Sequence, residues 1–131
     1  MAEIQRHDPL GGAFGASLAV ASGDLVVTTV AGITHLQEGE PVFADTFDEQ
    51  LQTAGHHTTT ELAKFGCTTA DIIDASVFVH PDVQIDPGAL FDALQQHVFG
   101  DTAPALLITR AASIYPASQI AIKITAIKTD H

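Results

Sequence analysis

The chain lacks tryptophan and contains one methionine, one cysteine and only five lysine and arginine residues. The lone Cys67 cannot form an intramolecular disulfide, so nothing in the sequence requires an oxidising compartment. Sixteen acidic residues outweigh the five basic ones and give a formal charge of −11 at pH 7. This charge repels nucleic-acid phosphates and anionic lipid headgroups, so we expect neither nucleic acid nor a membrane surface as a partner.

Charged residues are scarce as well, at 16% against 46% hydrophobic residues, which disfavours intrinsic disorder. With 131 residues, the sequence predicts a single domain over residues 1–131, with residues 1–13 as a flexible N-terminal segment. The uncharged run at residues 10–23 is rich in glycine and serine and too short to span a bilayer. The N-terminal residues lack the order of a signal peptide, so we expect a soluble, cytoplasmic protein.

Hydrophobic periodicity predicts the order strand, strand, helix, strand, helix, strand, strand. The predicted strands are residues 17–21, 24–30, 72–79, 106–112 and 120–127. A first helix is expected over residues 46–65, and a second begins at the Asp86-Pro87 cap and ends at Gly100, with Phe91, Leu94 and Val98 as its apolar face. Residues 32–44 contain Gly39, Pro41 and several polar side chains, which indicates an exposed loop.

Several short strings occur in an order and spacing that together resemble one known family. They are SGDLVV at residues 22–27, AG at 31–32, DEQ at 48–50, TADIIDASVFV at 69–79, FGD at 99–101, PA at 104–105 and IKITAI at 122–127. Over residues 14–127 the chain resembles the Rid family of reactive intermediate deaminases, also called the YjgF family.

The resemblance implies an α+β, chorismate-mutase-like fold: a mixed sheet with two helices packed on one face. It also implies a homotrimer whose small-molecule ligand clefts lie between subunits. Active members of the family are hydrolases that convert enamines or imines to ketones and ammonia, and the resemblance implies no cofactor.

Two functional positions of the family are changed in this sequence. The arginine that follows a proline by two residues, and that can bind a substrate carboxylate with its planar fork, is replaced by Leu106. The late glutamate of the last strand is replaced by Lys123. Charge-assisted hydrogen bonds contribute about 1.5–3 kcal/mol, which leucine cannot supply, so the usual substrate should bind poorly. The chain thus resembles the subgroups of the family that lack this arginine.

Three residues are weak catalytic candidates: Arg110, Lys123 and His80. Arg110 lies on the same strand face as Leu106, but about 13 Å further along the strand at roughly 3.3 Å per residue. It could replace the missing arginine, or it could be a solvated or subunit-pairing arginine. Lys123 could hold an anion or simply face water. His80 directly follows the third predicted strand. It could act as a proton carrier, or it could be an ordinary histidine at the end of a strand.

The predicted ligand-binding residues are Phe14, Gly32, Leu106, Ile108 and Lys123. The first two follow from the resemblance, although Phe14 could equally belong to the core, and the others follow from strand alternation and charge. No metal site is predicted, because His56 and His57 lie about 100° apart on a helix. His57 and Glu61 do share a helix face at a spacing of four residues, without a recognisable third ligand.

The sequence therefore leaves three functional hypotheses of different classes open. The first is a Rid-type enzyme with altered chemistry, such as deamination, hydration or tautomerisation of an unsaturated metabolite. The second is a non-catalytic ligand-binding or structural trimer with an apolar cleft, and the third is a subunit of a larger metabolic assembly. Activity depends on the site rather than on the fold, so the resemblance does not choose between them.

Overall fold

A computed structural model of the protein describes residues 3–8 and 18–129. Its strands are β1 (Ile4–His7), β2 (Ala19–Ser22), β3 (Leu25–Ala31), β4 (Ile33–Gln37), β5 (Glu40–Phe43), β6 (Ile72–Val79), β7 (Ala105–Arg110) and β8 (Ile120–Ile127), and its helices are α1 (Phe47–Lys64) and α2 (Pro87–Leu94). Among the described residues, no helix has the length and apolar character needed to cross a membrane.

Six strands form one mixed sheet in the order β1-β2-β3-β8-β6-β7. Neighbouring strands are antiparallel except β6 and β7, which run parallel. A parallel pair needs a long crossover connection, and α2 lies in that connection. The predicted α+β architecture of a single domain, with a mixed sheet and two helices, is confirmed.

Helix α1 begins and packs as its sequence predicts. The Thr46 side chain caps it by accepting a hydrogen bond from the Glu49 N–H at 3.1 Å. Leu51, Ala54 and Leu62 are fully buried against the sheet. Thr58 is buried too, and its hydroxyl is satisfied because it donates to the Ala54 carbonyl at 2.8 Å.

Helix α2 begins at the predicted cap, where Asp86 accepts a hydrogen bond from the Ala89 N–H. The predicted apolar face needs correction, because Phe91 is 52% exposed. The buried positions are Leu90, Leu94 and Val98, which step by four residues through a π-helical turn at Gln95–Phe99. Phe91 lies about 100° further round the helix and therefore points away from the core.

The predicted loop at residues 32–44 is instead the β4–β5 hairpin. Its turn places Glu38 and Gly39 in the left-handed region, with φ of 53° and 81°, as tight hairpin turns require. Most β4 side chains are exposed, so the strand lacks the apolar alternation that would reveal it. Pro41 lies in β5, an edge strand, where a missing N–H is tolerated.

Strand β1 is a second departure from the predicted order. Residues 1–13 were expected to be flexible, yet Ile4–His7 pairs antiparallel with β2 at the edge of the sheet. This short strand is mostly exposed, so its sequence carries no core pattern. Its position depends on pairing with residues 19–22, a contact that local sequence does not reveal.

The two faces of the sheet differ in what covers them. One face carries the buried side chains that pack with α1 and α2, such as Val26, Val77 and Ile124. The other face, here called the open face, exposes large hydrophobic side chains on five of its strands. These side chains are Ile4, Leu25, Phe78, Leu107 and Ile127.

Helix α1 and the π-helical turn approach closely at one glycine. A Cβ atom at Gly55 would lie 1.8 Å from the backbone oxygen of His97, which is impossible without movement of the main chain. Gly55→Ala should therefore lower the free energy of unfolding by about 1–3 kcal/mol through overpacking. Urea unfolding monitored by circular dichroism measures the change.

Gly88→Ala in α2 is the matched control. Its Cβ would meet only the Asp86 side chain, at 3.3 Å, and alanine favours a helix over glycine, so we expect little loss of stability. Equal destabilisation by both variants would contradict the close approach at Gly55.

Candidate functional site

A pocket lies beside the part of β3 that extends beyond its pairing with β2. Pairing with β2 ends at Thr28, and the next amide, Thr29 N–H, donates to the Leu18 carbonyl at 3.1 Å. Beyond that point, β3, the β4–β5 hairpin, α1 and the segment after β7 enclose about 450 Å³, here called the hairpin pocket. This volume is in the range of small-molecule sites.

The hairpin pocket has apolar walls and a few polar groups. The walls include Leu18, Ile33, Leu36, Phe43, Tyr115 and Ala121. The polar side chains are Thr29, Thr34, His35, His57, Glu61, Ser113 and Ser118. Phe43 and Tyr115 contact each other across the pocket with ring centroids 6.0 Å apart, which connects the hairpin to the segment after β7. Such a lining suits an apolar ligand that carries a small number of polar atoms.

The side chain of Gln50 fixes the walls of this pocket. It is only 1% exposed, and its amide nitrogen donates to the carbonyls of Ala44 and Ala117 at 3.0 and 2.9 Å. Its oxygen accepts the Gln119 N–H at 2.8 Å. One buried amide thereby joins α1, the end of the hairpin and the segment that leads into β8.

Gly32 belongs to the same junction. A Cβ atom at this position would lie 2.4 Å from Cβ and 2.7 Å from Cα of Gln50, so the base of the hairpin approaches α1 as only glycine allows. Gly32 is buried between Ala31 and Ile33, which both line the pocket. Contact with Gln50 thus accounts for the glycine, and a contact between Gly32 and a ligand stays a prediction.

Glu61 is a carboxylate held at the wall of the pocket. The residue is 4% exposed, and its Oε2 lies 2.6 Å from Nδ1 of His7 on β1. Its Oε1 lies 3.9 Å from the Lys64 ammonium. The neighbouring His57 is engaged elsewhere, because its Nε2 donates to the Ile33 carbonyl at 2.7 Å. The sequence showed that His57 and Glu61 share a helix face, but not that His7 binds the carboxylate.

The remaining predicted ligand residues do not face one common space within the chain. Leu106 and Ile108 pack against the hydrophobic core on the helix-covered face. Lys123 is exposed on the open face, because it pairs with Ser76 whereas Leu106 pairs with Ala75. Alternation along β6 puts these two rows on opposite sides of the sheet. Phe14 lies outside the described residues.

Arg110 holds a loop in this structure. Its guanidinium donates to the carbonyls of the segment after β6: Val83 at 2.9 Å, His80 at 3.3 Å, Pro81 at 3.4 Å and Ile85 at 3.4 Å. A guanidinium whose N–H groups already donate to main-chain carbonyls is not free to bind a substrate carboxylate. These contacts favour a structural role for Arg110, different from the solvated or subunit-pairing roles weighed from the sequence.

His80 lines a smaller cavity of about 160 Å³ beside Phe78 and Gln119. Its Nδ1 accepts the Asp82 N–H at 3.0 Å, so a neutral ring carries its proton on Nε2. The oxygen Oε1 of Gln119 is buried without a hydrogen-bond partner in the described part of the chain. A role of His80 in proton transfer stays a prediction.

The lone cysteine has the environment of a packing residue. Cys67 is buried at the end of α1, and burial, together with the carboxylate of Asp71, raises the pKa of its thiol. A raised pKa disfavours the nucleophilic thiolate. Within residues 3–8 and 18–129, no group of three or more histidine, cysteine, aspartate and glutamate side chains is arranged to hold a metal ion.

Comparisons with known proteins identify the fold. No family model and no curated protein matches the chain. A solved structure of a member of the YjgF/YER057c/UK114 family from Mycobacterium tuberculosis superposes with a TM-score of 0.75 and 22% identity, covering 96% of this chain and 100% of that one. The chain has the YjgF fold.

Two other solved structures agree with this assignment. A YjgF family member from Neisseria meningitidis gives a TM-score of 0.73 at 22% identity, with 98% of both chains covered. A putative endoribonuclease from Thermotoga maritima gives 0.72 at 21% identity, covering 95% of this chain and 93% of that one. These neighbours are consistent with the Rid resemblance of the sequence, and at this level of identity they establish the fold alone.

Removal of the Gln50 amide should loosen the whole junction. Gln50→Ala leaves two carbonyls and one N–H without their partner, at about 1–3 kcal/mol for each group, so the free energy of unfolding should fall by about 3 kcal/mol or more. Urea denaturation measures this loss. Hydrogen exchange should show faster opening of the β4–β5 hairpin than of β6, because the hairpin loses its tie to α1.

Gln52→Ala provides the control on the same helix. The Gln52 side chain is exposed and donates to Asp48, four residues earlier, so its removal should change stability by less than about 0.5 kcal/mol. If the two variants unfold at the same urea concentration, Gln50 does not organise the junction.

Proposed function

We propose that this chain is a small-molecule binder or enzyme of the Rid type, with its ligand site at the hairpin pocket and completed where copies of the chain meet. The observation that carries the proposal is an apolar pocket of about 450 Å³ within a YjgF fold. The pocket wall includes Ala31 and Ile33, which flank the glycine that the family resemblance places near the ligand.

The open face supports an assembly of several copies, and the family resemblance specifies a homotrimer. Five large hydrophobic side chains, from five of the six strands of the sheet, are exposed there, and Leu25 and Ile127 are direct cross-strand partners. Chains with a formal charge of −11 repel one another, so their contact must be mostly apolar. The open face meets this requirement, with the exposed Lys123 among its few charged groups.

A charge placed on the open face should separate the subunits. Leu107 is 62% exposed, so Leu107→Asp should leave the fold intact while it introduces a desolvated carboxylate into the contact. Light scattering should give a trimer mass for the unmodified protein and a smaller mass for the variant. Phe91→Asp on α2, where the side chain is 52% exposed, is the matched control and should stay trimeric.

A monomeric unmodified protein at micromolar concentration would contradict both the trimer and a site shared between subunits. The same dissociation by Phe91→Asp would contradict the assignment of the contact to the open face.

The residues available for chemistry argue against the usual deaminase reaction. Leu106 is partly buried and packs against the core, and the Arg110 guanidinium is occupied by main-chain carbonyls. Neither residue offers a free guanidinium to a substrate carboxylate. Lys123 lies on the other face of the sheet from Leu106. This absence of a free guanidinium at the predicted position favours the second candidate function, a ligand-binding trimer without deaminase activity.

Hydrolysis of 2-aminoacrylate tests the choice between these functions. We expect ammonia release at least about a hundredfold slower than from a Rid protein that carries the arginine. The chain lacks a charge-assisted contact worth about 1.5–3 kcal/mol, and it also lacks the glutamate of the last strand. A coupled assay for ammonia measures the rate. Rates equal to those of the arginine-bearing protein would contradict the argument from Leu106 and Lys123.

A further inference from the structure

We propose that the hairpin pocket binds a small apolar amine in its protonated form, with Glu61 accepting a hydrogen bond from the ammonium group. The inference rests on the proposed function in one respect, because it takes the hairpin pocket as the ligand site. It adds the chemical class of the ligand and the side chain that recognises it.

The charge of the lining favours a cation. Of the described residues that line the pocket, Glu61 has the only carboxylate and none is lysine or arginine. The two lining histidines have polar partners of their own: His57 donates to the Ile33 carbonyl, and His35 Nδ1 lies 2.9 Å from the Thr34 hydroxyl. The formal charge of −11 further raises the local concentration of cations and lowers that of anions.

The Glu61 carboxylate retains an oxygen for the ligand. His7 Nδ1 approaches Oε2 at 2.6 Å, and this contact fixes the orientation of the carboxylate. The other oxygen, Oε1, forms a long ion pair with the Lys64 ammonium at 3.9 Å, a distance at which no hydrogen bond forms. A carboxylate accepts several hydrogen bonds, so Oε1 can accept one from a ligand.

Burial makes this interaction selective. Glu61 is 4% exposed, and a buried carboxylate is costly unless it is well paired. An ammonium ligand improves the pairing and forms a charge-assisted hydrogen bond, which is stronger than the bond from a neutral hydroxyl. A ligand carboxylate would instead be repelled at short range by Glu61.

The apolar walls define the rest of the ligand. Ile33, Leu36 and Phe43 offer hydrocarbon and aromatic surface in a pocket of about 450 Å³. This volume accommodates a single aromatic ring with a short amine arm. Benzylamine, which is protonated at pH 7, therefore serves as the probe, and benzyl alcohol and benzoate are its neutral and anionic counterparts of similar size.

NMR titration of the isotope-labelled full chain with the three probes tests the inference. Benzylamine should shift the amide resonances of pocket residues and bind at least about tenfold more tightly than benzyl alcohol, while benzoate should not bind. Glu61→Gln keeps an acceptor for His7 but removes the charge, so it should weaken benzylamine about tenfold and leave benzyl alcohol unchanged. Asp92→Asn, which replaces an exposed carboxylate on α2 by an amide, is the matched control. It should alter neither affinity.

The possible failures are distinguishable. If benzyl alcohol or benzoate binds the pocket as tightly as benzylamine, the amine preference is overturned and the pocket stands as a ligand site. If none of the three probes shifts pocket resonances, the amine inference and the placement of the ligand site both fail. If Glu61→Gln does not fold, the charge series on the unmodified protein decides the question alone.

Discussion

The hydrogen bonds of one buried amide, that of Gln50, hold together segments of the chain that are distant in sequence. They join α1 to the carbonyls of Ala44 and Ala117 and to the amide of Gln119, and Gly32 packs directly on the same side chain. Those segments are the ones that surround the hairpin pocket. Because a buried amide must satisfy all its partners at once, the hairpin, the helix and the approach to β8 cannot move independently. The shape of the pocket therefore follows from this junction.

The sheet imposes a second constraint, because alternation sends neighbouring residues to opposite faces. The row that contains Ala75, Leu106 and Ile124 faces the helices, and the adjacent row that contains Ser76 and Lys123 faces the open side. Ser76 and Lys123 are direct cross-strand partners, so the register of β6 and β8 fixes position 123 on the open face. Leu106 and Lys123 therefore lie on different sides of the sheet, with Leu106 packed against the core and Lys123 on the face proposed to contact another copy of the chain.

The parts of the fold that the sequence predicted are those with a local pattern. The apolar stripe from Leu51 to Leu62 indicated α1, and the Asp86-Pro87 cap placed the start of α2. Strand β1, the β4–β5 hairpin and the contact of His7 with Glu61 depend on pairing between distant residues, and their exposed sequences carry no periodic signal. The pocket has no local sequence signal for the same reason, and the four-residue spacing of His57 and Glu61 indicated only that both lie on one face of α1.

The positions of the charged groups explain how recognition can change while the fold persists. Leu106 is partly buried on the edge strand β7 and packs against the core, so it offers apolar surface and no charge. The carboxylate of Glu61, in contrast, already has a partner in His7, so the cost of its burial is offset within the fold before any ligand binds. With the hairpin pocket as the proposed ligand site, this anionic group at an apolar wall would disfavour carboxylate ligands by charge repulsion. Under the proposed amine preference, the scaffold would change the charge of its ligand without any rearrangement of its strands.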